Sequence, residues 1–98
     1  ILVETTFILQ HTESKTKEQV INDEVLCRAV VRSIEIIGEA SKKIDDEFKS
    51  SNSHIEWKKI AGTRDKLIHD YFDIDYDIVW DIIQNKIQDL DHFLRQLL

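Results

Sequence analysis

Hydrophobic positions recur along this chain at steps of three and four residues, the spacing of one face of an α-helix. The clearest stripe lies between residues 23 and 49, at Leu26, Val30, Ile34, Ile37, Ile44 and Phe48. Val31, Ile36 and Ala40 widen it in the middle, so we predict a helix from Asp23 to Lys49 that is buried on more than one side. Gly38 within it costs about 1 kcal/mol relative to alanine, which indicates the close approach of another helix.

The segments on either side of this helix have the same periodicity. Residues 1–10 carry apolar side chains at positions 1, 2, 3, 7, 8 and 9, and a short helix is predicted at 17–21. The polar stretches HTESK at 11–15 and SSNSH at 50–54 indicate loops. A further helix follows the second loop, with its apolar face at Trp57, Ile60, Ala61, Leu67, Ile68 and Tyr71.

The last helix is predicted from Asp75 to Leu98. Asp75 is placed to cap its N-terminus, and Asp77 in the first turn suits the positive end of the helix dipole. Its apolar stripe lies at Val79, Ile83, Ile87, Leu90, Leu94 and Leu97. We therefore predict one all-α domain over residues 1–98, an antiparallel four-to-five-helix up-and-down bundle.

Composition supports this prediction and excludes several other classes. The 98 residues contain no proline and only two glycines, too few turn residues for a β-sandwich. No apolar run exceeds three residues, which excludes a membrane-spanning helix and a secretory signal. Cys27 is the only cysteine, so an internal disulfide is excluded and a cytoplasmic protein is expected. Its apolar neighbours predict that Cys27 is a small core residue.

The charge of the chain is unevenly distributed. Residues 57–69 hold four basic residues and one acidic residue, a net charge of +3. The rest of the chain therefore carries a net charge of −9, which gives the total of −6. An acidic chain is a poor general nucleic-acid binder, but a local basic strip can bind phosphate. A solvated helix face is the other interpretation, and composition alone favours it.

The basic strip contains the sequence RDKLIHDY, from Arg64 to Tyr71. Arginine can hold a phosphate and stabilise negative charge, and histidine can move a proton near neutral pH. In a helix, however, Arg64 and His69 would lie about 140° apart around the axis and about 7.5 Å apart along it. They could flank one cleft only if the long Arg64 side chain bends over or if a second copy of the chain completes the site. From these residues alone, His69 is better interpreted as a capping or partner-bound residue near a helix end.

Two segments of the chain resemble a known family. RSIEIIGEASKKI at 32–44 and WKKIAGTRDKLIHDYFDIDYDIVWDII at 57–83 are similar to the HepT-like branch of the HEPN superfamily. Members of this branch are toxins or partners of a minimal nucleotidyltransferase of the MntA type, the antitoxin. The branch motif R-x4-H-x-Y is intact here as Arg64, His69 and Tyr71, and the resemblance extends over the whole chain.

The resemblance implies a homodimer whose two motifs share one cleft, with endoribonuclease activity on RNA and no metal or other cofactor. Arg64 and His69 would be the catalytic residues, and Asp65 would orient His69. Tyr71 would accept AMP from the nucleotidyltransferase, which uses ATP. The lysines of the basic strip that could contact RNA are Lys58, Lys59 and Lys66.

Other interpretations remain beside this one. The chain could be a non-catalytic helical adaptor that binds a nucleotidyltransferase or a nucleotide. The alternating aspartates of DIDYD do not form a calcium loop, because positions six and twelve are Ile78 and Gln84. Glu39 could face the cleft, but surface ion pairs with Lys42 or Lys43 are the preferred interpretation for Glu35 and Glu39. Interhelical ion pairs are another possibility for Arg32 and Glu35.

Overall fold

The computed structural model describes residues 1–63 and 74–97, and these two ranges are helical. The elements are α1 (Leu2–Thr12), α2 (Lys17–Asn22), α3 (Glu24–Lys42), α4 (Asp46–Ser51), α5 (Trp57–Ala61), α6 (Tyr76–Asp81), a π-helical segment (Ile82–Lys86) and α7 (Ile87–Gln96). The described ranges contain no β-strand, and the predicted all-α helical bundle is confirmed. In the same ranges no helix has the length and apolar character needed to cross a membrane.

Polar side chains define where three of the helices begin. The Thr16 hydroxyl accepts a hydrogen bond from the backbone N–H of Gln19, whose side chain accepts one from the N–H of Thr16. Asp75 accepts from the N–H of Ile78 at 3.1 Å, which confirms its prediction as the N-cap of α6. Asp23 caps α3 in the same way. Each cap satisfies an N–H that has no partner within its helix.

The predicted helix from Asp23 to Lys49 is wrong in its last seven residues, because α3 ends at Lys42 and a second helix follows. α3 ends at Lys42, and α4 starts at Asp46 after Asp45 accepts a hydrogen bond from the N–H of Glu47 at 2.8 Å. An aspartate that bonds the nearby backbone offers it an alternative to a continuous helix. Phe48 of α4 still packs on the core, so the apolar periodicity continues across the break.

α3 is the central helix of the bundle, with α1, α2 and α5 packed against it. Its buried side chains include Cys27, Val30, Val31, Ile34 and Ile37, which confirms that it is covered on more than one side. The core also takes residues from the other helices: Ile8, Val20, Trp57, Ile60, Val79, Ile82, Ile83, Ile87, Leu90 and Phe93. The prediction that Cys27 is a core residue is confirmed, and burial raises the pKa of its thiol.

A buried polar contact fixes α1 against α7. Asp91 is only 8% exposed, and it accepts a hydrogen bond from the Thr5 hydroxyl at 2.8 Å. Its second oxygen accepts from Arg95 Nε at 2.8 Å, and Arg95 also donates to the hydroxyl of Thr6. A buried carboxylate is tolerated when its oxygens are bonded in this way. The chain thus aligns its first and last helices by a polar contact within the apolar layer.

The predicted last helix is interrupted by the π-helical segment between α6 and α7. The N–H of Ile87 bonds to the carbonyl of Ile82, five residues earlier, so one extra residue is accommodated in this turn. The described helix ends at Gln96, and Leu97 is 53% exposed, so its predicted place in the apolar stripe is wrong. Phe93 is buried instead.

Candidate functional site

The predicted catalytic motif falls in the part of the chain outside the described residues. Arg64, Asp65, Lys66, His69 and Tyr71 all lie between residues 64 and 73. The structure describes the residues on either side of this motif segment, from Thr63 backward and from Ile74 onward. It therefore shows the contacts of the residues that flank the motif segment.

A close contact between α3 and α5 holds the beginning of the motif. A methyl group added at Gly38 would lie 3.2 Å from the carbonyl oxygen of Ile60 and 3.3 Å from Oγ1 of Thr63. Thr63 is buried and donates its hydroxyl proton to the same carbonyl at 2.8 Å. The prediction that another helix approaches at Gly38 is confirmed. Because Thr63 directly precedes Arg64, this packing sets where the motif starts.

Polar contacts fix the start of α6, which follows the motif segment in the sequence. Asp75 caps this helix, and Asp77 in its first turn forms an ion pair with Lys17 of α2. The hydrogen bond that Lys17 donates to the Asp77 carboxylate raises the pKa of Lys17. The short helix α2 thus reaches the residues that follow the motif, a contact that periodicity along the sequence does not indicate.

Two lysines of the basic strip lie in the described region, and their surroundings differ. Lys58 is exposed, and no ion pair joins it to another described residue. Lys59 lies 2.5 Å from one oxygen of Glu56, and Lys86 lies 2.8 Å from the other. Hydrogen bonds from Lys59 and Lys86 lower the pKa of Glu56 to about 2. Lys86 was not predicted to belong to this region, because it is 30 residues from Glu56 and only folding brings it there.

A cavity of about 130 Å³ lies between α5 and the last helix, beside the beginning of the motif. Thr63 is one of its lining residues, and its apolar walls include Ile60, Ile78, Ile82 and Leu90. The charged residues that line it are Glu56, Lys59, Asp81, Lys86 and Asp89. The π-helical segment supplies both a wall residue and a charged residue, as such segments often do at functional sites.

The remaining acidic residues singled out on α3 form surface ion pairs. Glu39 lies 3.3 Å from Lys42, as predicted, and Glu35 lies 3.3 Å from Arg32 in the same helix. Both are therefore pairs within one helix. Among the described residues, no group of three or more histidine, cysteine, aspartate or glutamate side chains is arranged to hold a metal ion.

A family model and several known proteins match the sequence of this chain. The family model "Ribonuclease HepT-like" matches residues 1–97. A protein from Caldanaerobacter subterraneus subsp. tengcongensis, named as a candidate RNase, is 44% identical over 98 residues, which cover all of this chain and 88% of that protein. A candidate RNase from Methanocaldococcus jannaschii is 42% identical over 82% of this chain and 66% of its own length.

A third relative carries the family name itself. The "Probable ribonuclease HepT" of Thermococcus cleftensis is 47% identical over 62 residues, which are 63% of this chain and 56% of that protein. No solved structure gives a significant match. The family model covers nearly every residue, and these relatives exceed 40% identity, so this chain belongs to the ribonuclease HepT-like family of HEPN-type proteins.

Proposed function

We propose that this chain is a metal-independent endoribonuclease and the toxin of a two-gene cassette, silenced when a nucleotidyltransferase antitoxin transfers AMP to it. The observation that carries the proposal is the family match over residues 1–97 in a chain whose R-x4-H-x-Y motif is complete. The names of its relatives support activity on RNA. The packing of Thr63 before the motif segment and the capping by Asp75 after it are consistent with the proposal.

In the proposed reaction, His69 accepts the proton of a ribose 2′-hydroxyl, and the resulting oxygen attacks the adjacent phosphorus. The bond from phosphorus to the 5′-oxygen breaks, and this leaving oxygen takes a proton from an imidazolium. The products are a 2′,3′-cyclic phosphate, which water can then open, and a 5′-hydroxyl. Arg64 stabilises the extra negative charge on the phosphoryl oxygens. A histidine with a pKa near 6.5 performs these transfers at neutral pH without a metal ion.

The proposed active form is a homodimer with both motifs in one groove. Residues from two chains can surround a phosphate that Arg64 and His69 of one helix, about 140° apart, would reach poorly. Pairing also brings the two basic strips together, so Lys58, Lys59 and Lys66 of each chain can contact the RNA backbone. Asp65, four residues before His69 in the sequence, orients its ring in this proposal.

Silencing acts at Tyr71 in this proposal. Its hydroxyl oxygen attacks the α-phosphorus of ATP on the antitoxin, pyrophosphate leaves, and the tyrosine carries AMP. The added phosphate and adenine lie one heptad from Arg64, on the same helix face. They exclude RNA by repelling its phosphates and by filling the groove.

Cleavage of RNA by the purified chain in EDTA tests this function. We expect Arg64→Ala and His69→Ala each to lower the cleavage rate at least a hundredfold, the typical contribution of a positioned acid–base or charge-stabilising group. Arg28→Ala and His92→Ala remove the same side-chain types from exposed positions, and they should cleave like the parent protein.

The outcomes separate the two functions. Full activity of both motif variants would contradict the proposed roles of Arg64 and His69. If the parent protein cleaves no RNA but forms a stable complex with the product of a neighbouring nucleotidyltransferase gene, the chain is a non-catalytic adaptor.

A further inference from the structure

The cavity beside the motif has the size of one six-membered ring. Its volume of about 130 Å³ is close to the roughly 150 Å³ of an engineered apolar cavity that holds benzene. Ile60, Ile82 and Leu90 are buried side chains of its walls, and Ile78 is half-buried. Such walls suit the flat, apolar faces of an aromatic ring.

The lining of the cavity also includes a hydrogen-bond donor and a hydrogen-bond acceptor from neighbouring turns of the chain. Lys86 and Asp89 lie about one turn apart on the last helix, and both line the cavity. Lys86 uses one N–H on Glu56 and has two more to donate. No hydrogen bond or ion pair joins Asp89 to another residue in the described ranges, and its carboxylate can only accept when ionised.

We propose that this cavity binds one cytosine base of single-stranded RNA. Cytosine is the single-ring base that carries both a carbonyl oxygen and an amino group. Lys86 donates to the carbonyl O2, and Asp89 accepts from the N4 amino group, as carboxylates do in base recognition. Uracil has a second carbonyl in place of the amino group, and its O4 would face the Asp89 carboxylate. Purines have a second ring that the volume does not accommodate.

Position and charge both favour an RNA base as the occupant. Thr63 lines the cavity and is covalently joined to Arg64, so a base held here lies next to the proposed cleavage site. The chain carries a net charge of −6, which weakens binding through phosphates alone. Burying a base adds affinity that does not depend on the charge of the protein, and proteins often recognise RNA through such extruded bases. The inference rests on the proposed activity on RNA.

NMR titrations that measure the binding of CMP and of UMP to the purified chain test the pocket independently of catalysis. We expect CMP to bind about tenfold more tightly than UMP, the discrimination of one good pair of base contacts. Asp89→Asn adds an amide donor that can face O4 of uracil, so the ratio should fall to about one. Asp46→Asn removes one negative charge from an exposed position on α4, outside the lining, and should keep the parental ratio.

A second variant tests whether the base enters the cavity. Ile78→Phe fills the space from the wall, so both nucleotides should lose affinity while the thermal unfolding midpoint shows that the protein remains folded. Equal affinities of CMP and UMP for the parent protein, binding of neither, or an unchanged ratio in Asp89→Asn would overturn the inference.

Cleavage measurements keep this inference distinct from the proposed function. On RNA of random sequence, the parent protein should prefer sites beside cytosine, and Asp89→Asn should lose that preference while it still cleaves. Cleavage with no preference for cytosine would overturn the pocket and leave the nuclease intact. Selective binding of CMP without any cleavage would support the pocket and contradict the nuclease.

Discussion

The two tyrosines of this chain lie five positions apart, and one can serve as the control for the other in a test of modification. Tyr76 is 43% exposed in the first turn of α6, whereas Tyr71 belongs to the motif. An enzyme that modifies surface hydroxyls can reach Tyr76. Only Tyr71 is one heptad from Arg64, where an added phosphate would compete directly with RNA.

We therefore expect AMP transfer to Tyr71 alone. After co-expression with a nucleotidyltransferase of the proposed antitoxin type, intact mass should increase by whole AMP units in the parent protein and in Tyr76→Phe. Tyr71→Phe should keep its unmodified mass. Modification that persists in Tyr71→Phe, with an active antitoxin present, would refute the proposed switch.

The sequence predicted the roles of single residues where those roles depend on nearby positions in the chain. Asp75 was recognisable as a cap because it lies three residues before the N–H that it binds. Gly38 was recognisable because a glycine inside a helix needs a packing reason. The contacts of Glu56 with Lys86 and of Thr5 with Asp91 could not be predicted, because folding joins residues 30 and 86 positions apart.

The contact between α3 and α5 is the feature that matters most among the elements. It depends on a missing side chain at Gly38, where the nearest neighbour is a backbone carbonyl of Ile60. A backbone atom cannot rotate away, so α5 itself must move to admit a methyl group. Thr63 moves with α5 and carries the beginning of the motif with it.

Gly38→Ala should lower the free energy of unfolding by about 1 kcal/mol, because the cost of overpacking exceeds the gain in helix propensity. It should also slow RNA cleavage. Gly62→Ala is the matched control, since its added methyl group meets nothing closer than 3.4 Å and its φ of −91° suits alanine. Urea denaturation of both variants measures the difference. A Gly38→Ala protein as stable and active as Gly62→Ala would contradict this role.

Periodicity predicted the existence of the helices better than their internal breaks. The stripe of apolar residues continues from α3 into α4, although the helix ends at Lys42, because both helices cover the same core. The π-helical segment left no recognisable signal, since Val79, Ile83 and Ile87 keep a spacing of four residues that is typical of an α-helix. The break after Lys42 and the π-helical register of the last helix therefore required the folded structure.

At the scale of the whole molecule, the proposed catalytic groove depends on two copies of the chain. Mixing Arg64→Ala chains with His69→Ala chains tests whether the two residues act from different protomers. In a site shared between chains, half of the randomly paired dimers are mixed, and each mixed dimer has one intact site out of two. The mixture should recover about a quarter of the parental activity.

Cleavage by the mixture is measured after the chains have exchanged, with each variant alone as the control. Recovery supports a composite site, whereas an inactive mixture places both residues of each site in one protomer. Sedimentation over a range of protein concentrations establishes the dimer independently. A monomer with full activity would contradict the shared groove.

The π-helical segment makes the last helix tolerant of a change in the length of the gene. It already accommodates one extra residue, so loss of a single codon for an exposed residue such as Gln84 would restore α-helical winding and leave the residues beyond it facing the same way. Ile87 and Leu90 would keep their places in the core, as would Val79 before the segment. A one-codon insertion or deletion in this turn is therefore a change of length that proteins of this fold can accept without a shift in helix register.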